Sequence, residues 1–432
     1  MFEFDETQQA IALALRDYCA REIEPQVAAL EKGEVSPFTL MRRFAQSFGL
    51  DEMLGGPLRR KVERMRSGET RPSRGALAEG AGPLGDPALA AIFGMELARI
   101  SPGLCLCVTA SMGCAATIAA RGDADLIERC AIPVLTLDRV GCWALTEPGS
   151  GSDAFGMQTS FRLEGGTVVL RGSKTFISNA PAADVFLIYA RMADEPAKRS
   201  ETASASEVVR DKRRIFPVVV ERGTSGLETG TPMEKMGMHA CPTGEIFLDD
   251  VRVPRSHLLG DPDRPARDAA EETLATERAA IVAMCLGVIE RCLDDALAYS
   301  VERVQFGKPI AAFQLIQQKL ARMYAARENV RNLVFKLIWL QQTGKGTERE
   351  VSAAKWYATE AACDVALEAM QLMGGAGYMR EHAPERMFRD MKLWTIGGGT
   401  SEIQQLTIAK DLLRERGVQA DLTGGYRDER RR

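Results

Sequence analysis

Apolar residues recur at helical spacing in the first and last thirds of the chain and at strand spacing between them. Ile11, Leu15 and Tyr18 fall on one face behind an acidic start, which predicts a helix within residues 1–35. Residues 35–55 fit a second helix. Residues 59–86 break the pattern: the run GETRPSRGALAEGAGPLGD is dense in Gly, Arg and Pro and reads as a mobile connection. Residues 86–121 are helical again, with Leu104, Leu106, Val108 and Met112 among small residues that favour close helix packing. From Gly141 the period shortens. FRLEGGTVVLRGSKTFIS reads as a hairpin closed at Gly165-Gly166, and ADVFLIYAR, RIFPVVVER and GEIFLDDVRVP follow as strands. The Ser- and charge-rich residues 194–213 between them read as a disordered loop. Helices return at 266–298, 314–343, 347–373 and 401–416, with Gly417 as a C-cap. This order, helical then β then helical, divides the chain into 1–140, 141–260 and 261–418, followed by a loose basic tail at 419–432.

With 432 residues, 45% hydrophobic and 26% charged, the chain has the composition of a soluble globular protein of two or three domains. The net charge of -4 argues against nucleic acid as a partner. The basic cluster Arg59, Arg60, Lys61, Arg64, Arg66, Arg71 and Arg74 is local and reads as a solvated loop or helix face. Ten cysteines without a CxxC pair suggest reduced, buried thiols and a cytoplasmic protein. Three scattered histidines, His239, His257 and His382, do not make a metal cluster. No signal peptide is evident, and no apolar run reads as a membrane span.

Chemistry concentrates in a few stretches. Residues 394–405, WTIGGGTSEIQQ, place three glycines before a helix. Glycines let the backbone approach a flat or anionic group, and a helix N-terminus offers free N–H groups to it. A helix C-cap, a turn and the next N-cap at Thr400 or Ser401 would account for the same pattern. The run GSGSD after Thr146 imitates a dinucleotide fingerprint, but a hairpin follows it where that fold needs a helix.

Together, ALTEPGSGSD, GSKTFISNA, ERVQFGKPIAAFQLIQQKLARM, QLMGGAGYMRE and WTIGGGTSEIQ resemble the acyl-CoA dehydrogenase family of flavoproteins, over roughly residues 1–415 and least over 35–86. The resemblance implies an N-terminal helical domain, a central β-barrel domain and a C-terminal four-helix bundle, with FAD as cofactor. It implies that Trp143, Leu145, Thr146, Gly151, Ser152, Phe176, Ile177 and Ser178 line the FAD. It assigns Arg303, Gln305, Phe306, Phe313, Gln314, Gln371, Gly374, Gly375, Thr400, Ser401 and Glu402 to the cofactor too, the Arg303–Gln314 group from a neighbouring subunit of a homotetramer. Read from the residues alone, Phe176 would be a core aromatic and Arg303 a helix-end charge.

The family removes a proton α to a thioester and a hydride from the β carbon. Many members carry the base in the loop at the position of Gly398, and glycine cannot serve. A minority carry it on a bundle helix in a pattern like L-x-x-E-R, which Leu274–Arg278 repeats here. The resemblance thus points to Glu277 as base, with Glu271 and Glu272 as weaker candidates, and to Arg278, Ser152, Gly397 and Gly398 at the substrate. Ala275 stands where an acidic residue often meets the pantetheine chain. The implied reaction is α,β-dehydrogenation of an acyl-CoA or acyl-carrier-protein thioester, with an electron-transferring flavoprotein as acceptor. A same-fold oxidase, or a non-catalytic flavoprotein binding a partner or nucleic acid, are the other readings.

Overall fold

The computed structural model describes residues 3–68, 86–193, 215–262, 269–420 and 426–428, and for 269–275, 419–420 and 426–428 only the backbone. The expected mobile connection is partly wrong. Residues Gly56–Ser67 form a helix whose basic face is pinned, with Arg66 on Asp125 and Glu128 and Lys61 on the Ala119 carbonyl. Arg71, Arg74 and the predicted loop at 194–213 lie outside the described residues.

The N-terminal part consists of α1 (Glu6–Tyr18), α2 (Pro37–Ser47), α3 (Gly56–Ser67), α4 (Pro87–Ile100) and α5 (Pro102–Arg121), joined by shorter turns. Three of these five starts carry a side-chain cap. Asp5 and Gln8 form a capping box, Asp86 accepts from the Ala88 N–H, and Ser101 accepts from the Leu104 N–H ahead of a proline. Ser101 thereby splits the single apolar run 86–121 into two helices. Contrary to the sequence reading, α5 does reach the length and hydropathy of a membrane span, at 1.8 over its best window. Yet 67% of that window is buried inside the fold, as for a core helix.

The middle part is one curled seven-stranded sheet: β1 (Gly141–Ala144), β2 (Ser160–Glu164), β3 (Thr167–Ser178), β4 (Val185–Met192), β5 (Ile215–Glu221), β6 (Leu227–Thr229) and β7 (Thr243–Pro254). The hairpin closes at Gly165-Gly166 as the sequence predicts, with Glu164 opposite Thr167. β1 and β2 both run parallel to β4, β1 beside its first half and β2 beside its end, while β5 pairs antiparallel with its other edge. A separate core of Phe161, Phe186, Ile188, Val218, Ile246 and Val251 fills the sheet. Asn179 bolts it to α5. Its amide donates to the Cys107 and Gly141 carbonyls at 2.8 and 3.1 Å.

The C-terminal bundle comprises α6 (Ala269–Glu302), α7 (Gln314–Thr343), α8 (Glu348–Met373), α9 (Ala383–Trp394) and α10 (Ser401–Arg414). α6 crosses α4 and packs on α7 and α8, and α8 packs on α9 and α10. Helix α9 is missing from the sequence reading. The tail is not wholly loose: Tyr426–Asp428 pairs antiparallel with Val418–Ala420.

Candidate active site

Two regions of the sheet meet at the loop after β1. Trp143 packs edge-on against Tyr189 at 5.2 Å, and its indole N–H is buried without a partner among the described residues. The Thr146 carbonyl accepts from the Thr175 N–H at 3.0 Å, which ties the loop to β3. Glu147, which the sequence reading left without a task, anchors it further. Its carboxylate accepts from the backbone N–H groups of Gln158 and Thr159 at 2.6 and 2.9 Å. It also pairs at 2.9 Å with Lys174, a fully buried cation whose second bond goes to the Leu145 carbonyl at 2.8 Å. Gly151 and Ser152 stand exposed at the loop tip.

Phe176 is not a core aromatic. A bulge in the β3–β7 pairing turns its backbone to φ 58°, and the ring is 68% exposed. An exposed aromatic on a backbone that L-residues avoid marks a place where another group is expected to lie. Ser178 is half-buried beside it. The side chain of Ile177 turns the other way, into the sheet core, so only its backbone faces the Phe176 side.

The second centre is built where α6, α8 and the glycine turn converge. Gly398 and Gly399 take φ 64° and 89°, and Thr400 caps α10 by accepting from the Ile403 N–H. Arg278 Nε donates to the Gly398 carbonyl at 3.1 Å, Lys355 Nζ to the Gly399 carbonyl at 2.7 Å, and Gln404 Nε2 to both. Lys355 and Gln404 escaped the sequence reading, since a lysine inside an apolar helix face was the only signal. Arg278 also pairs with Glu348, so part of its guanidinium is committed to the loop and to that carboxylate. Beside it, Glu277 is half-buried and makes no hydrogen bond among the described residues. Burial pushes its carboxyl above the ordinary range, while the Arg278 and Lys355 cations pull the other way. A side chain at Gly398 would bring its Cβ within 2.9 Å of Ile281 Cδ1, so the loop has no room there without repacking. At the start of α10, Ser401 Oγ is buried and unpartnered among the described residues, and the Glu402 carboxyl is held below its usual range by its own N–H and the Thr400 hydroxyl. Glu271 and Glu272 lie where only the backbone is described.

The remaining expected residues lie elsewhere in the chain. Arg303 follows the C-terminal end of α6, 26 residues from Glu277, which is roughly 39 Å at 1.5 Å per residue. The short hairpin Val304–Gln305 with Lys308–Pro309 then lifts Phe306 to 92% exposure, edge-on to Phe313, whose ring also lies under Lys308. Gln314 opens α7, and Gln371, Gly374 and Gly375 end α8, on the same side as Arg303. One chain therefore cannot bring these residues and Glu277 to one small ligand. His239 and Cys241 belong to a structural turn: His239 bonds the Lys235 carbonyl and Glu31, and the Met238 N–H reaches Asp390.

Comparison with known proteins identifies the family. Residues 142–251 match the acyl-CoA dehydrogenase middle domain and 267–413 its C-terminal domain. A probable acyl-CoA dehydrogenase of Bacillus subtilis is 33% identical over 415 residues, covering 96% of this chain and 100% of the relative. Benzylmalonyl-CoA dehydrogenase of Aromatoleum aromaticum is 33% identical over 426 residues, covering 95% and 99%. The structure of butyryl-CoA dehydrogenase from Megasphaera elsdenii superposes with a TM-score of 0.80 at 30% identity, covering 96% of this chain and 100% of that one. On these grounds the chain belongs to the acyl-CoA dehydrogenase family, flavoprotein oxidoreductases that act on CH–CH groups.

Proposed function

We propose that this chain catalyses the α,β-dehydrogenation of an acyl thioester with FAD, and that Glu277 removes the α-proton. The observation that carries the reading is the state of Glu277: a carboxyl raised by burial, uncommitted to any hydrogen bond among the described residues, beside a loop without side chains. An α-proton is weakly acidic, so a base with a raised pKa is better matched to it than an exposed carboxylate.

The residues fit FAD. The buried, unpartnered indole N–H of Trp143, the unpartnered Ser401 hydroxyl at a helix N-terminus and the exposed Phe176 are features a bound flavin would satisfy. In this reading Trp143, Thr146, Ser152, Phe176, Ser178 and the start of α10 hold the flavin side. The distant Arg303, Phe306, Phe313, Gln314 and Gln371 act on the cofactor of a neighbouring subunit in a homotetramer. FAD, when bound, supplies the acceptor for the hydride lost from the β carbon. Glu277 takes the α-proton onto its carboxylate, and Arg278, Lys355 and Gln404 keep the glycine loop in place while it does so. An electron-transferring flavoprotein is the acceptor we propose; one relative, of Acetobacterium woodii, is named as a subunit of a caffeyl-CoA reductase–Etf complex.

The test is anaerobic flavin bleaching by straight, branched and aromatic acyl-CoA thioesters and by one acyl-carrier protein. Wild type is expected to bleach with at least one of them, and Glu277→Gln to slow that bleaching by about a thousandfold or more. A Glu277→Gln enzyme that bleaches as fast as wild type moves the base elsewhere.

A further inference from the structure

Lys355 raises a question the reaction scheme leaves open. It is fully buried in α8, yet no carboxylate lies within ion-pair distance of it among the described residues. A buried, unpaired ammonium costs several kcal/mol, so fold stability does not explain it. Its one hydrogen bond among the described residues goes to the Gly399 carbonyl at 2.7 Å, next to the Gly398 carbonyl that Arg278 holds. Its Cε is also the second nearest atom, at 4.0 Å, to the Cβ that Gly398 lacks. Two buried cations thus grip one glycine turn, and both act on Glu277.

Resting on the assignment of Glu277 as base, we propose that Lys355 is a positioning residue of the active site: it fixes the glycine turn and supplies the buried positive charge that keeps Glu277 ionised. Desolvation alone pushes Glu277 toward its protonated form, and a protonated base accepts nothing. A cation in the same apolar environment opposes this without occupying the carboxylate in a hydrogen bond. Arg278 contributes to the same field, but Glu348, 57% exposed, pairs with it and offsets part of its charge. The groups acting on Lys355 are Cys285, Arg278 and Glu277 from α6, Glu360 from α8 itself and Glu402 from α10. Burial brings Lys355 down to about 8, against the pull of Cys285 and Glu277, so it is cationic below that pH and neutral above it.

The experiment follows the protonated-carboxyl infrared band of the FAD-loaded enzyme from about pH 4 to about pH 9, the band being assigned by its loss in Glu277→Gln. Lys355→Met is expected to raise the titration midpoint of that band by about one pH unit, and to move the acid limb of the bleaching rate with it. Lys355→Arg keeps the charge and is expected to leave the midpoint in place, even where the bulkier fork lowers the rate. Arginine stays charged throughout this range, so the acid limb of Lys355→Arg is expected to coincide with that of wild type. A midpoint in Lys355→Met that coincides with wild type, at normal FAD content, reduces Lys355 to a structural role and overturns the proposal. Should Lys355→Met not fold, Lys355→Gln reads the same midpoint, and one that coincides with wild type overturns the proposal equally. The base assignment fails on different evidence, namely a Glu277→Gln enzyme that still bleaches the flavin.

Discussion

The buried pair Lys174–Glu147 should decide whether the cofactor loop exists as a defined surface. Lys174 is fully buried and Glu147 is 5% exposed, so Lys174→Met leaves a carboxylate without its cation in the protein interior. Breaking a buried pair from one side costs about 3–5 kcal/mol. The Gln158 and Thr159 N–H groups still hold Glu147 after the change, which places the loss near the lower end, about 3 kcal/mol. The double variant Glu147→Gln/Lys174→Met removes both charges and is expected to recover more than half of that. Because the same pair fixes Leu145, Thr146 and the turn to Ser152, a loss confined to the loop would weaken FAD binding by up to about a hundredfold. Burial pushes the Glu147 carboxyl up, but the Lys174 charge and the N–H donors more than reverse this, leaving it below the ordinary range. A carboxyl lowered by folding stabilises the native state above its unfolded pKa, and that stabilisation disappears as pH falls through the native value. The acid sensitivity of wild type should therefore exceed that of Glu147→Gln. Denaturant unfolding with and without FAD, with a fluorescence titration of FAD, reads all of this. A Lys174→Met protein with wild-type stability and wild-type FAD affinity refutes the reasoning.

Two further perturbations address the frame around the site. At the crossing of α4 and α6, a Cβ on Gly287 would stand 2.1 Å from the Met95 carbonyl oxygen, so Gly287→Ala must push apart the helix that carries Glu277. We expect it to cost about 3 kcal/mol in denaturant unfolding, whereas Gly113→Ala, with open space around it, is expected to gain about half a kcal/mol. Asp390 is wholly buried, and that burial raises its carboxyl to about 6, Arg386 opposing and Glu31 adding to the effect. Here the folded chain binds the proton more tightly than the unfolded one, so this site's contribution to stability falls by about 2 kcal/mol as pH rises from about 4 to about 6. Stability measured across that range should show the slope in wild type and lose it in Asp390→Asn; parallel curves would reject it.

Local sequence determined the order of elements in this protein because hydrophobic period is a local property. The period of 3.6 ends at Gly141 and resumes after residue 262, and the bounds of α7, Gln314–Thr343, coincide with those read from the sequence. The hairpin at Gly165-Gly166 was equally legible, since two adjacent glycines leave few other turns. Motif resemblance located Glu277, Phe176 and the glycine turn along the chain. It did not reveal what surrounds them. Phe176 reads as a core residue until the β-bulge turns it outward. The sequence assigns Arg278 to the substrate by resemblance alone and gives no sign of its bond to Gly398, 120 residues away. Lys355 and Gln404 look like ordinary helix positions until α8 and α10 close over the glycine turn. Burial, hydrogen-bond commitment and the field at a carboxylate are sums over residues distant in sequence, and only the packed fold brings those residues together. The same packing sets Arg303 roughly 39 Å from Glu277, because the helix between them is rigid and its rise per residue is constant.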